Sequence, residues 1–391
     1  MVAWLQVVMS YPSSVRFLRD YVAIPSVNPM RRSDIPPELV GERRYASHVL
    51  EQLRRMRVDA ELVGSGERAS VIAHATARGA RETVMIASHL DTVPVDGMEI
   101  DPFDPRIENG RLYGRGSCDT KSGMAAAVAA LEHVLERGKL RRNVVLVGEA
   151  DEECASVGVR DVLASLGKQK PDWVIATEPT DLEIVTAHKG IALVRLVAHG
   201  VSCHSSEPRA GRNAIVALAR AVLALEALGE EIGQMEHPRL GRATLSVGLI
   251  GGGQAANIVP QEAWLVTDRR LLPGEDEQRV RTQIESALER RGVADVEIAS
   301  CAVEKPALET DDDAPAVRAC QAALASLGLP TETTTAAFST DAGLFAEAGL
   351  PGVVFGPGSI AQAHTAREWV ALDQVERATA FFTNLLQTEG S

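Results

Sequence analysis

No stretch of this sequence reaches the run of about eighteen apolar residues that reads as a membrane-crossing helix. Basic runs are missing too. Lys+Arg total 40 against Asp+Glu 53, a net charge of −13. An acidic chain without a basic stripe is a poor partner for nucleic acid or anionic membranes. The acidic surplus can equally be well-solvated surface. Met1 to Ser10 is apolar, but no basic residue precedes Arg16 and no small-residue cleavage pattern follows. A secretory signal is therefore not expected. The five cysteines, Cys118, Cys154, Cys203, Cys301 and Cys320, are odd in number. Their spacing suits neither a disulfide framework nor a structural zinc knuckle, so the cytoplasm is the expected compartment. Internal repeats and low-complexity tracts are absent as well.

What is present is an ordinary globular composition, 45% apolar and 24% charged, over 391 residues. That length exceeds what one hydrophobic core usually supports, so two domains are expected. Apolar residues fall at helical spacing over Leu39–Met56, and β-rich runs follow at Ser70–Ala75 and Thr83–Ser88. A small-residue helix is predicted over Lys121–Glu136, with strands at Asn143–Gly148 and Asp172–Thr177. Such alternation implies a sheet covered on both faces, with ligands gathering beyond the carboxyl ends of its strands. From about Ala187 the order changes to strand 191–199, helix 211–229, strands 243–249 and 262–270, helix 275–291 and strand 294–303. That β-α-β-β-α-β order is the ferredoxin-like split pattern. The glycine-rich 250–254 run reads as a tight turn. Helix–strand alternation then resumes. The expected division is 1–186 and 301–391 as an α/β domain, with 187–300 as a smaller inserted domain.

Five polar clusters punctuate the α/β part. His89-Leu90-Asp91 follows the Thr83–Ser88 run, and alternate residues of an extended chain point the same way. A carboxylate holding one imidazole nitrogen makes the other a better metal ligand, although for a His-x-Asp taken alone a hydrogen-bonded structural pair is the better reading. Gly114 to Gly123 precedes the small-residue helix but lacks the glycine spacing of a phosphate loop. Asp119 within it could cap the helix or bridge two metal ions. Glu149-Ala150-Asp151-Glu152-Glu153 follows a Val-rich strand, where loose surface charge is less expected. A cation among such carboxylates would relieve their repulsion. Glu178 and His364 complete the set, each at the end of a predicted strand or glycine turn. Mixed nitrogen and oxygen donors suit zinc, with cobalt or manganese as substitutes. Two ions about 3.5–4 Å apart would polarise a carbonyl and supply hydroxide near neutral pH. A carboxylate free of metal would then have to move the protons.

These motifs, in this order from Ile24 to Asp373, resemble the acetylornithine deacetylase, succinyl-diaminopimelate desuccinylase, carboxypeptidase G and aminoacylase group of di-zinc metallohydrolases. The resemblance implies a zinc-peptidase-like α/β catalytic domain with a mixed sheet, interrupted by a ferredoxin-like α+β lid and dimerisation domain. It implies two Zn²⁺ per chain, one held by His89 and Glu178, the other by Glu153 and His364, with Asp119 bridging and a cis peptide after it. Asp91 would orient His89, and Glu152 would be the general base. Where the family has three glutamates, this chain begins the triplet with Asp151, outside the two functional positions.

Within the inserted domain, Val201-Ser202-Cys203-His204-Ser205-Ser206 resembles the lid motif whose histidine stabilises the oxyanion, commonly in the partner subunit's site. Asn257 lies in a matching Asn-Ile-Val-Pro segment. Arg270 is the expected clamp for a substrate carboxylate; a structural ion pair with Asp268 is the competing reading. Gly358, with Thr340-Asp341, is expected in the far wall of the pocket. The resemblance also implies a hinge near residues 187 and 300 and a homodimer through the inserted domain. Cys118, Cys154 and Cys203 adjoin proposed site residues and read as small buried side chains; an exposed one would make activity sensitive to thiol reagents. The function so implied is removal of an acyl group from a small-molecule N-acyl amino acid. Desuccinylation or cleavage of small peptides would use the same residues, and a non-catalytic metal-binding scaffold is the reading from another class.

Overall fold

In the Thr83–His89 strand, Val84 and Ile86 enter one hydrophobic cluster and Met85 and Ala87 another. A strand buried on both faces belongs inside a sheet with helices on either side. The computed structural model, which describes residues 12–167 and 170–389, puts this strand inside a mixed sheet. The apolar Met1–Ser10 segment lies outside the described residues.

The sheet runs in the order Asp59–Ser65, Arg68–Ala75, Asn143–Glu149, Thr83–His89, Trp173–Ala176, Gly352–Val354 and Ile184–His188. The middle four strands are mutually parallel, and antiparallel neighbours flank them on either side. Asp59–Ser65 is not foreshadowed by the apolar pattern. It is an edge strand, largely exposed, that forms a hairpin with Arg68–Ala75.

Over one face lies the Lys121–Glu136 helix, whose alanines Ala125–Ala127, Ala129 and Ala130 are buried. Small side chains let it sit closely against helices Pro12–Val22 and Leu372–Gln387. Phe355, Phe381 and Phe382 pack against one another at tilted and edge-to-face angles in the same core. The other face is covered by helices Val157–Ser165 and Ala342–Glu347, through Val159, Val162 and Phe345.

The chain divides into two compact units, Met1–Thr186 with Thr310–Thr334 and Thr340–Ser391, and Ala187–Glu309 with Thr335–Ser339. The second unit runs on to Glu309 because Leu308–Glu309 pairs with Ala187–His188. It holds a four-stranded antiparallel sheet in the order Thr244–Gly252, Glu262–Leu271, Gly190–His199, Val296–Lys305. Helices Ala214–Ile232 and Glu277–Arg290 cover the face formed by Ala192, Val194, Leu196 and Leu265. Each starts at a side-chain cap, Asn213 accepting from Val216 N and Asp276 from Arg279 N. This is the β-α-β-β-α-β order read from the sequence.

The 250–254 run differs from its reading as a turn, because residues 250–252 continue the strand. A Cβ at Gly251 would lie 2.8 Å from the Trp264 ring, so glycine there makes room for a cross-strand indole. Among the described residues no helix is long and apolar enough to cross a membrane.

Gly123, in the first turn of the 121–136 helix, faces Thr177, whose Cβ would be 2.6 Å from an added methyl group. Helix propensity favours Gly→Ala by roughly 1 kcal/mol, but overpacking costs about 1–3 kcal/mol. Gly123→Ala is therefore expected to lower unfolding free energy by about 1 kcal/mol in urea titrations. A variant more stable than the parent would contradict this packing.

Candidate active site

The parallel strands bring the polar clusters to one end of the sheet. His89 is the last residue of its strand, Leu90 N donates to Glu149 O at 2.7 Å, and Thr177 N donates to Ala87 O at 2.8 Å. After Glu149 the chain turns sharply at Asp151, with φ 69, and its carbonyl accepts from the amides of Cys154, Ala155 and Ser156. That turn places Glu152 and Glu153 beside His89. Asp119 immediately precedes the 121–136 helix, and its peptide to Thr120 is cis. Thr120 does not cap the helix through its side chain.

The structure brings His89, Asp119, Glu152, Glu153, Glu178 and His364 together. His89, Asp119 and Glu178 present ligand atoms to one another within 4.8 Å, and so do Asp119, Glu153 and His364. A third such group joins His89 to Glu152 and Glu153. Asp119 belongs to the first two sets. Its Oδ1 lies 3.0 Å from His89 Nε2 and its Oδ2 3.2 Å from His364 Nε2. His364 Nε2 is also 3.1 Å from Glu153 Oε1, and His89 Nε2 is 4.0 Å from Glu178 Oε2. His364 is half-exposed, whereas His89 is buried.

Asp91 organises the first histidine. His89 Nδ1 donates to the Asp91 carbonyl at 2.9 Å, with the carboxylate at 3.4 Å, which turns Nε2 toward Asp119. The fully buried Asp91 carboxylate also accepts from Glu152 N at 3.1 Å and Glu153 N at 3.0 Å. Asn28 Nδ2 donates to it at 2.8 Å and to Asp151 at 2.9 Å. Arg68 closes the network on Asp151 at 2.7 Å. Asn28 and Arg68 are parts of the site that motif reading missed. Asn28 is 63 residues from Asp91, brought alongside where Val27 bridges Thr92.

The electrostatics fit a divalent cation in each set. Burial alone would raise the Asp119 carboxyl, yet the bonds from His364 and His89 hold it well below the usual range. Burial pushes Glu153 up to about 7, and Asp119 and Glu153 draw His364 up to about 10. Carboxylates therefore crowd both imidazoles at positions that suit a cation. Oxygen and imidazole donors without thiolate match zinc and its first-row neighbours. Glu149 is buried at its strand end and raised by burial and by Asp341.

Gly358 has φ 92, and a Cβ there would meet Cys118 Sγ at 2.6 Å. It lets the 356–358 turn press on the segment carrying Asp119. Cys118 is buried, and burial pushes its thiol up; Cys154 and Cys203 are partly exposed. The remaining candidates lie in the second unit. His204 is exposed, and its Nδ1 accepts from Ser206 N and pairs with Ser206 Oγ at 2.7 Å. Ser205 N donates to Asn257 O at 3.1 Å, so the two motif segments run side by side. Arg270 forks onto Asp268 at 2.9 and 3.1 Å, the ion pair weighed against its role as a clamp.

Carboxylates and histidines gathered where parallel strands end, with a residue shared between two ligand sets, define a metallo-hydrolase. Comparison with known proteins narrows the class. Residues 85–388 match the family described as peptidase family M20/M25/M40, and the chain belongs to that family. It is 32% identical to an acetylornithine deacetylase of Myxococcus xanthus over 310 residues, 77% of this chain and 78% of that protein. It is equally 32% identical to a probable carboxypeptidase of Aspergillus terreus, over 82% of this chain and 74% of that one. An M20 family metallo-carboxypeptidase from Sulfolobus solfataricus shares the fold at TM-score 0.79 and 23% identity, with 96% of this chain and 98% of that one covered.

Asn28→Ala would leave two buried carboxylates without a shared donor, at a cost of about 1–3 kcal/mol. Denaturant titrations are expected to show a loss of about 2 kcal/mol, accompanied by at least a tenfold or so drop in turnover. Unchanged stability and turnover together would contradict the role given to this network.

Proposed function

We propose that this M20 hydrolase is a di-zinc amidohydrolase that removes the acyl group from an N-acyl amino acid. The observation that carries this reading is the division of Asp119 between His89 and His364, one carboxylate oxygen to each. In this reading His89 and Glu178 would hold one Zn²⁺, Glu153 and His364 the other, and Asp119, common to both sets, would serve each. Bound there, the cations would supply Lewis-acid polarisation of the scissile carbonyl and acidification of water, with Co²⁺ or Mn²⁺ as substitutes.

The chain's own residues do the rest. Asp91 keeps His89 in one tautomer and fixes the backbone of Glu152 and Glu153. Glu152, beside both ligand sets, takes the proton of the attacking water and returns it to the leaving nitrogen. His204 stabilises the developing oxyanion, Arg270 holds the substrate carboxylate after leaving Asp268, and Asn257 and Gly358 contribute to the pocket; the family resemblance supports these roles. The deacetylases among the relatives favour the acyl amino acid as substrate. Small-peptide cleavage is the second reading, favoured by the carboxypeptidase relative and by a fold shared with a Staphylococcus aureus tripeptidase. A cytoplasmic homodimer through the inserted unit belongs to the same proposal. Five free cysteines and the exposed Leu223, Leu249 and Ile250 of that unit support it.

The test is hydrolysis by zinc-loaded protein of N-acetylornithine, other N-acetyl amino acids, N-succinyl-diaminopimelate and dipeptides. Chelated protein and Glu152→Gln serve as controls. The expected outcome is metal-dependent preference for one acyl amino acid and a loss of about 10²–10⁴-fold in Glu152→Gln. Turnover of dipeptides alone would move the assignment to a peptidase. No turnover despite bound zinc would remove the acyl amino acid and small-peptide readings and leave an unusual amide substrate or a metal-binding scaffold.

A further inference from the structure

Glu368 has no solvent exposure, yet it is a carboxylate four residues after His364. Burying a charge is costly unless its lone pairs are well used. Here they are. Oε1 accepts from Cys118 N at 2.9 Å and Asp119 N at 3.1 Å, and Oε2 accepts from Gly116 N at 3.0 Å and Arg115 Nη1 at 2.6 Å. Arg115 is itself buried and donates through Nη2 to Pro94 O at 3.3 Å. One ion pair therefore crosses three segments: the loop after His89 and Asp91, the loop ending in Asp119, and the loop descending from His364. The Glu368 backbone adds to the seam, its carbonyl accepting from Gly114 N at 3.1 Å.

We propose that Glu368 is a positioning residue that sets the separation of Asp119 from His364 and thereby the affinity of the second metal site. The inference rests on the two-cation reading above. His89 has its own support from Asp91, so the first site depends less on this clamp. Among the described residues no such carboxylate stands behind His364, whose ring meets Asp119 and Glu153. Its placement relies on the backbone that leads to Glu368. An amide at 368 keeps the shape and one acceptor oxygen, but its NH₂ group cannot accept from Gly116 N or Arg115.

The test is titration of chelated protein with Co²⁺, read by bound metal and by the visible d–d spectrum, in wild type and Glu368→Gln. Unfolding of the metal-free proteins is followed in parallel. The expected result is two cobalt ions in wild type, a second-site affinity weakened about 10–100-fold in the variant, and a shifted spectrum for that ion. First-site affinity should stay within about threefold. If Glu368→Gln does not fold, Arg115→Lys replaces it. That variant keeps a cation on the carboxylate but gives up the fork to Pro94, and the same site should weaken. Wild type and folded variant binding two ions with equal affinity and identical spectra would overturn the role of Glu368 alone. Wild type binding no cobalt would overturn the two-cation reading and this inference with it.

Discussion

A buried carboxylate with each oxygen committed to a different imidazole is the constraint around which this molecule is arranged. Asp119 meets His89 on one side and His364 on the other, at 3.0 and 3.2 Å. Neither histidine is near it in sequence, so the fold has to deliver both. Glu153 and Glu178 then approach the same atoms, and packing these carboxylates together in a buried place is unfavourable without positive charge. Imidazole protons can supply some of that charge. Two divalent cations supply more, and in the proposed reading they turn an electrostatic liability into the catalytic device.

The sheet makes this arrangement affordable. Parallel strands buried on both faces end in one plane, so His89, Glu149 and the segment leading to Glu178 emerge side by side. Loops beyond such ends are free to carry function because the strands beneath them carry stability. Their backbone is nonetheless held tightly, by Asp91 through the amides of Glu152 and Glu153 and by Glu368 through those of Cys118 and Asp119. Both clamps are buried acids accepting several N–H donors; burial raises the Glu368 carboxyl, whereas that of Asp91, against its burial, is held below its usual range by the bond from His89. In the proposed reading these clamps would position the side chains that receive the ions.

Much of this is legible in the sequence. The helix over Lys121–Glu136 showed itself as a run of small residues, and the order of elements between 190 and 305 followed from alternating patterns. The strand-end acids stood out because charge directly after a Val-rich run is unusual. Less visible were features whose signal is not local. Asp59–Ser65 is an exposed edge strand with no core-facing alternation to betray it. The Ile250–Gly252 stretch looks like a turn in composition, yet it pairs across the sheet with Ala263–Leu265, its glycine leaving room for the Trp264 ring. Asn28 and Glu368 act at sequence distances of 63 and 249 residues, on Asp91 and on Asp119. A lone polar residue at such a distance carries no periodicity or spacing to read, and only packing shows its purpose.

The central claim is that the chain holds two cations with Asp119 between them. Calorimetric titration of chelated protein with Zn²⁺, in wild type and Asp119→Ala, tests it most directly. The account expects wild type to saturate at two ions per chain and Asp119→Ala to take up no more than one. Saturation of wild type at a single ion, or two ions bound by Asp119→Ala with unchanged affinity, would contradict it.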